Sequence, residues 1–236
     1  MQDVYSKDFF EKKCLYIKDG VSIKVDTSEQ VKRIIEIFSP KRILDCGCAT
    51  GVYEHGFFLL KSDIEVAGFD ISEYALSHCI PEIENSLFLL DLETQAIPYP
   101  DNYFDLVLCF DFLEHLHPEY IDFGISEISR VCSETIFCRQ PFCRFMLIGD
   151  ELAKEFQKYN ELSNSERLAL INDDPLIFTT DPDPNCPYHP SERGREYFIE
   201  KFSKHGYSEI FLDEDSYKYP NTLGLTSWTT LVLEKI

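Results

Sequence analysis

Basic residues are scarce in this sequence. It has 22 lysines and arginines against 42 aspartates and glutamates, which gives a formal net charge of −20. Because proteins that bind nucleic acids usually neutralise phosphates with clustered lysine and arginine, this charge disfavours a nucleic-acid partner. A local patch made of Arg139, Arg144, Arg193 and Arg195 would be the exception. Otherwise an acidic surface of this kind keeps a protein soluble.

Long apolar runs are absent as well. No stretch reaches the roughly eighteen residues that cross a bilayer, and Met1–Tyr5 lacks the basic and apolar pattern of a secretory signal. Internal repeats and low-complexity tracts are missing too, which argues against a repeat array or a disordered chain. We therefore expect a cytoplasmic protein without a membrane segment.

The nine cysteines lack the paired C-x-x-C spacing of a zinc site. Their odd number and the missing signal favour thiols in a reducing compartment over a disulfide framework. Asp181 and Asp183 lie near His189 and could suggest a metal, but the prolines between them favour an ordinary rigid loop. We expect no bound metal.

The 236 residues are 44% hydrophobic and 27% charged, which suits one α/β domain. Short apolar runs alternate with amphipathic stretches, and this rhythm predicts a parallel sheet. The predicted strands are Arg42–Asp45, Ile64–Phe69, Leu87–Leu90, Phe104–Phe110 and Glu134–Cys138, followed by a closing hairpin at Tyr207–Leu212 and Thr226–Leu233.

The same pattern predicts five helices besides two short polar helical patterns, at about Gly149–Tyr159 and Ser163–Ile171. The five helices are Thr27–Phe38, Tyr53–Lys61, Ser72–Cys79, Pro118–Val131 and Ser191–His205. Thr27 and Gln30 are spaced as in a capping box, so Thr27 is expected to cap the first helix. Residues 1–39 are interpreted as an amino-terminal helical cap on the domain. Residues 142–190 are interpreted as an insertion that covers the site, because long irregular segments in compact domains are often functional lids.

Acids stand at the carboxyl ends of the predicted strands, where open α/β sheets bind ligands. Asp45 begins the segment Asp45-Cys46-Gly47-Cys48-Ala49-Thr50-Gly51, and its two glycines allow backbone amides to approach a ligand closely. A dinucleotide fingerprint would need glycines at 47, 49 and 52. The chain has Ala49 and Val52, so it departs from a nicotinamide-cofactor site.

The order D-x-G-x-x-x-G resembles the first motif of class I S-adenosylmethionine-dependent methyltransferases. Three further segments match in order: Val66–Ser72, Asp91–Glu93 and Phe104–Leu116. The resemblance extends over roughly residues 40 to 138. It implies an α/β Rossmann-like fold: a seven-stranded, mostly parallel sheet with helices on both faces and an antiparallel last strand.

The resemblance also implies a cofactor site. The loop residues Asp45, Gly47, Cys48, Ala49 and Gly51 would wrap the methionine and ribose of S-adenosylmethionine. Asp70 would bind the ribose hydroxyls, Ile71 would pack on the adenine, Asp91 and Leu92 would hold the adenine edge, and Phe110 would lie beside the methionine chain. Simpler interpretations stay open: a helix-capping acid at Asp70, a strand-end turn at Asp91–Leu92, and core packing for Phe110.

Two histidines are predicted on the acceptor side. His115 could remove a proton from the acceptor, since imidazole titrates near neutral pH, or it could have a structural role. The stretch from His189 to Phe198 loosely resembles small-molecule and sugar-modifying members, so His189 and Tyr188 would contact the acceptor or lie in a solvent-facing loop. Amino-terminal aromatics, Tyr5, Phe9, Phe10 and Tyr16, would close over the cofactor or serve as a packing arm.

The function implied is methyl transfer from S-adenosylmethionine to an oxygen or nitrogen of a small polar acceptor, with a saccharide or nucleotide sugar as first choice and aromatic natural products next. Two rivals remain: a tRNA or protein methyltransferase, and a non-catalytic protein that binds S-adenosylmethionine. A dehydrogenase is disfavoured by Ala49 and Val52.

Overall fold

Seven strands form one mixed sheet, and two short strands form a separate hairpin. The computed structural model describes residues 5–13, 17–23, 25–61, 63–139, 195–210, 212 and 230–236. The hairpin consists of β1 (Ile17–Lys18) and β2 (Val21–Ser22). The sheet consists of β3 (Arg42–Cys46), β4 (Glu65–Asp70), β5 (Leu87–Leu89), β6 (Phe104–Phe110), β7 (Cys132–Arg139), β8 (Tyr207–Ile210) and β9 (Thr230–Lys235).

The strand order in the sheet is β5-β4-β3-β6-β7-β9-β8. Strands β3 to β7 are parallel, and β9 lies antiparallel between β7 and β8. The order reverses at β3, since β4 lies on one side of it and β6 on the other. Such a switch point opens a crevice at the carboxyl ends of the strands. The predicted fold, including the antiparallel last strand and the closing hairpin, is confirmed.

Helices cover both faces of the sheet. The α-helices in the described part of the chain are α1 (Ser28–Phe38), α2 (Val52–Leu60), α3 (Glu73–Ser77), α4 (Ile121–Val131) and α5 (Arg195–Ser203). Isoleucines of α4 and phenylalanines of α5 join one core cluster with residues of β3, β6 and β7. Val31 and Ile34 of α1 and Phe57 of α2 join a second cluster, which packs on side chains of the opposite face. The alternating apolar pattern along each strand thus fills two cores.

Thr27 does not cap α1 with its side chain, so this expectation was wrong. The helix begins at Ser28, and the Thr27 hydroxyl donates to the Val52 carbonyl 3.1 Å away. This hydrogen bond between the starts of α1 and α2 takes the place of a capping hydrogen bond within α1. The amino-terminal region also contains the β1–β2 hairpin and a π-helical turn at Phe9–Lys13, neither of which the sequence pattern predicted.

Part of the prediction lies outside the described residues: the insertion at 142–190, the first turn of the helix predicted from Ser191, and the first residues of the strand predicted from Thr226. Within the described ranges, no helix is both long and apolar enough to pass through a bilayer. The six described cysteines are free thiols, and no three histidine, cysteine, aspartate or glutamate side chains in those ranges are grouped to hold a metal ion.

Gly68 in β4 leaves room for the glycine loop, residues 45–51, to pack against the sheet. A Cβ atom at this position would lie 2.3 Å from Oε1 of Glu54 and 2.7 Å from Cβ of Cys48. Both distances are shorter than any ordinary van der Waals contact, and the Cys48 Cβ is bonded directly to the loop backbone, so it cannot rotate away as the end of a long side chain can. A side chain here would therefore push the loop away from the strand.

We expect Gly68→Ala to lower the free energy of unfolding by about 1–3 kcal/mol, because the added methyl group overpacks a buried contact. Chemical denaturation measures the change. Gly124→Ala in α4 is the matched control, since its Cβ would meet the flexible end of Leu116 at 2.9 Å while alanine favours the helix. Equal stability of the Gly68 variant and the wild type would contradict this account of the loop.

Candidate functional site

A cleft lies at the carboxyl ends of β3, β4 and β6, where the strand order reverses. It encloses about 1090 Å³, including its open mouth. This is the place at which open α/β sheets bind ligands, and the size suits a cofactor together with a small second molecule. The described residues that line it are Tyr5, Phe9, Phe10, Asp45, Gly47, Cys48, Ala49, Val52, Tyr53, Phe69, Asp70, Ile71, Leu90, Asp91, Leu92, Glu93, Phe110, Asp111, Phe112, His115, Leu116 and Arg139.

Most of the residues predicted for the site line this cleft. Those that do are Asp45, Gly47, Cys48, Ala49, Asp70, Ile71, Asp91, Leu92, Phe110 and His115. Gly51 does not. It stands at the amino-terminal cap of α2 with a φ of 81°, and a Cβ there would lie 2.4 Å from Cδ1 of Ile83. Gly51 therefore shapes the loop from behind. His189 and Tyr188 lie outside the described residues.

The glycine loop is bound to the neighbouring strand by its own backbone. The amides of Gly47 and Cys48 both donate to the Phe69 carbonyl, at 2.8 and 3.0 Å. Gly47 and Ala49 have positive φ values, 80° and 50°. Left-handed backbone is costly for alanine, and such residues concentrate where the surrounding structure enforces them, often at binding sites. These hydrogen bonds and positive φ values set the path of the loop against β4.

Asp70 joins three parts of the site. Its buried carboxylate accepts the Ala49 amide at 2.9 Å and the Ser72 amide at 2.8 Å. Burial raises the pKa of Asp70, while these amide hydrogen bonds act in the opposite direction. Ser72 caps α3 through its own hydroxyl, which accepts the Ala75 amide. The capping function that was the alternative for Asp70 is therefore carried by Ser72.

Asp45 and Glu54 form a buried acid pair behind the loop. Both side chains are almost wholly buried, and each carboxyl group affects the pKa of the other. Burial is the main cause that raises the pKa of each group, and their mutual repulsion adds to the rise for Glu54. Both carboxyl groups therefore keep their protons to a higher pH than they would in water.

The segment predicted to hold the adenine edge forms a tight turn. The Asp91 amide donates to Oε1 of Gln95, and Oδ1 of Asp91 accepts the Glu93 amide, each at 3.0 Å. The Leu92 side chain is buried in the core. The strand-end turn that stood as the alternative is therefore present, and both residues also line the cleft.

His115 is held by the amino-terminal segment. The Tyr5 hydroxyl and Nδ1 of His115 are hydrogen-bonded at 2.9 Å, and the two rings meet edge to face with centroids 5.5 Å apart. The carbonyl of Tyr5 accepts the Ser72 hydroxyl at 2.6 Å. Tyr5, Phe9 and Phe10 line the cleft and pack on each other, whereas Tyr16 lies outside the described residues.

Several lining residues were not predicted for the site: Tyr53, Glu93, Asp111, Phe112 and Arg139. Asp111 and Arg139 directly end or follow β6 and β7, and Tyr53 stands in the first turn of α2. Their positions at strand ends and at a helix start are the sequence features from which they could have been predicted as site residues. The long-range pairing of Tyr5 with His115 had no local signal, because 110 residues separate them.

The fold is Rossmann-like, and its candidate ligand site is a glycine loop beside a strand-end acid. Residues 44–135 match the family model described as a methyltransferase domain. Over this segment, which is less than half of the chain, the sequence is similar to methyltransferase domains.

One curated relative, an uncharacterised protein of Methanocaldococcus jannaschii, is 33% identical over 107 residues. The match covers 44% of this chain and 42% of the relative, so it spans less than half of that protein's length.

Solved structures share the fold at low sequence identity. Magnesium protoporphyrin IX methyltransferase from Synechocystis, determined with bound S-adenosylhomocysteine, is 13% identical with a TM-score of 0.56, over 100% of this chain and 98% of that one. The [4+2]-cyclase SpnF is 14% identical with a TM-score of 0.53, over 88% of this chain and 80% of that one. These likenesses establish the architecture, which hosts more than one chemistry.

The buried pair of Asp45 and Glu54 makes the free energy of unfolding depend on pH. In the unfolded chain both carboxyls lose their protons near pH 4, whereas burial raises the pKa values of Asp45 and Glu54 in the folded protein. The folded state therefore binds more protons, and its stability falls as the pH rises from about 4 through the raised pKa values. The slope is at most about 1.4 kcal/mol per pH unit for each proton.

We expect Glu54→Gln to flatten this fall between pH 5 and 8, because a neutral amide can remain beside Asp45 without a proton. Thermal unfolding across that pH range measures it, with the exposed Glu134→Gln as control. An unchanged pH profile in the Glu54 variant would show that the pair is not the source.

Proposed function

We propose that this protein binds S-adenosylmethionine in the cleft and transfers its methyl group to an oxygen or nitrogen of a small polar acceptor. The observation that carries the proposal is the glycine loop whose Ala49 amide is bound by Asp70 at the carboxyl edge of the sheet. Such a loop presents backbone groups and one acid to a ligand that has both a ribose and a charged tail.

The cofactor's parts are assigned along the edge of the sheet. Asp70 binds the ribose hydroxyls, and its bond to Ala49 keeps the carboxylate aimed at the sugar. Ile71 and Leu92 border the adenine, with Asp91 at its polar edge. Gly47 and Cys48 face the methionine chain beside Phe110, whose ring meets Tyr53 edge to face at 5.2 Å.

The reaction is a direct displacement at the methyl carbon. An acceptor lone pair attacks the carbon from the side opposite sulfur, the carbon–sulfur bond breaks, and its electron pair returns to sulfur as S-adenosylhomocysteine leaves. The acceptor's proton then passes to a base. The sulfonium is already an activated donor, so holding the acceptor in line supplies much of the rate enhancement.

His115 is the proposed base. It lines the cleft, and its bond to Tyr5 fixes the ring orientation that proton transfer requires. His189 remains a second proposed base from the sequence. In either case the proton leaves the acceptor, not the cofactor, so the charge balance of the displacement is kept.

A saccharide, nucleotide sugar or similar polar metabolite is the proposed acceptor class. Five acidic side chains and one guanidinium line the described part of the cleft. The acids offer acceptors to hydroxyl groups and, within this class, favour an uncharged saccharide over a nucleotide sugar, whose phosphates they would repel. The same charges disfavour the tRNA alternative.

We expect calorimetric titration to detect binding of S-adenosylmethionine and none of NAD. Asp70→Ala should weaken binding at least tenfold, because it removes both the ribose partner and the anchor of Ala49. Asp105→Ala is the matched control, since Asp105 likewise accepts backbone amides, those of Lys41 and Arg42, at the opposite end of β3. Preference for NAD, or no binding of either molecule, would overturn the proposal.

Loss of the base should separate catalysis from binding. With methyl-labelled S-adenosylmethionine and a panel of sugars and nucleotide sugars, we expect His115→Asn to lower kcat by about 10² or more, a size typical of general bases. Tyr5→Phe should lower it less and shift the pH–rate profile, while cofactor affinity stays within a fewfold. His205→Asn, in an exposed turn, is the control. Full activity of the His115 variant would exclude it as the base.

A further inference from the structure

The cleft is acidic, and its described wall has a single guanidinium. Asp45, Asp70, Asp91, Glu93 and Asp111 line it, and Arg139 is the one arginine or lysine among the described lining residues. A ligand that carries a carboxylate would be repelled by most of this surface. The negative end of such a ligand is therefore directed to Arg139.

Arg139 is held in a fixed orientation. It ends β7, its Nη1 donates to the Tyr53 hydroxyl at 3.1 Å, and its Nη2 forms an ion pair with Oδ2 of Asp111 at 3.0 Å. The guanidinium carbon also lies 4.6 Å from the centre of the Phe110 ring. A stacked and hydrogen-bonded guanidinium loses little further freedom on binding a carboxylate, which is why arginine suits this purpose.

Asp111 is placed beside Arg139 by an unusual backbone. Its φ is 49°, in the left-handed region that an aspartate adopts at a cost, and its amide donates to the Arg139 carbonyl at 2.5 Å. Strained residues of this kind persist where the surroundings enforce them, and they concentrate at ligand sites. This backbone conformation places the Asp111 carboxylate next to the Arg139 guanidinium, so a negative and a positive group lie side by side.

The pair lies beside Phe110, along which the proposed function runs the methionine chain of the cofactor. Tyr53, which contacts Arg139, stands one residue after the first residue of α2, and Phe110 precedes Asp111 directly. The positive charge of Arg139 also opposes the rise in the pKa of Asp45, the acid that begins the loop. Arg139 therefore lies within electrostatic reach of the loop's first residue.

We propose that Arg139 and Asp111 together bind the amino-acid end of the cofactor, with the guanidinium on its carboxylate and the Asp111 carboxylate on its ammonium group. This inference rests on the proposed binding of S-adenosylmethionine. An α-amino acid carries one charge of each sign about as far apart as the two side chains' polar atoms, so the ion pair is its electrostatic complement. Tyr53 orients the guanidinium from the side of α2.

The test compares two ligands, one with and one without the amino-acid end of the cofactor. S-adenosylhomocysteine has the amino-acid moiety, and 5′-methylthioadenosine lacks it while keeping the adenine, ribose and sulfur. We expect Arg139→Gln to weaken binding of S-adenosylhomocysteine at least tenfold and to leave binding of 5′-methylthioadenosine within about twofold in calorimetric titrations. Arg139→Lys should retain part of the affinity, and Asp111→Asn should show the same selective loss in smaller measure.

Arg42→Gln is the matched control, because the Arg42 guanidinium also stacks on an aromatic ring, that of Tyr103 at 4.7 Å, but lies outside the cleft. Equal losses for both ligands in the Arg139 variant would mean a structural role and overturn the inference, as would no loss for either. Should Arg139→Gln fail to fold, Asp111→Asn decides in the same way. If wild-type protein binds neither ligand, the proposed function fails instead.

Discussion

The carboxylate of Asp70 is the constraint on which the rest of the site depends. By accepting the amides of Ala49 and Ser72, it fixes the glycine loop on one side and the start of α3 on the other. Ser72 in turn holds the carbonyl of Tyr5, and Tyr5 reaches His115. One buried charge therefore connects the loop, a helix and the amino-terminal arm. Burying that charge is costly, and the two amide bonds offset part of the cost.

The central fold was predictable because its signals are local. The apolar run of β6 has the predicted bounds, Phe104–Phe110, and the ends of β3 and β4 lie within one residue of those predicted. A parallel strand buried on both faces is a continuous apolar run, and an acid or glycine marks its end. Thr27 shows the limit of such local rules, since its hydroxyl bonds a residue of α2 instead of its own helix.

The site was predictable only where it is built from strand ends. Asp45, Asp70 and Asp91 follow apolar runs, so topology brings them to one edge. Tyr5 carried no such signal, because its importance arises from a distant partner, His115. Arg139 does end a strand, but its partner Tyr53 is also far away in the sequence. Glu54 resembles any helix acid in the sequence. Only the packing of α2 over Gly68 shows that its carboxyl group is buried.

The position of β9 has a consequence for how the chain reaches this fold. Strand β7 pairs with β6 on one side, but its other edge is covered by Thr230–Lys235, which follow about ninety residues later in the chain. During synthesis, β7 is therefore available to pair with β6 on one edge before its partner on the other edge, β9, has been made. Open edges of this kind pair with other chains. The interval between translation of β7 and of β9 is thus the period in which the nascent protein is most exposed to aggregation.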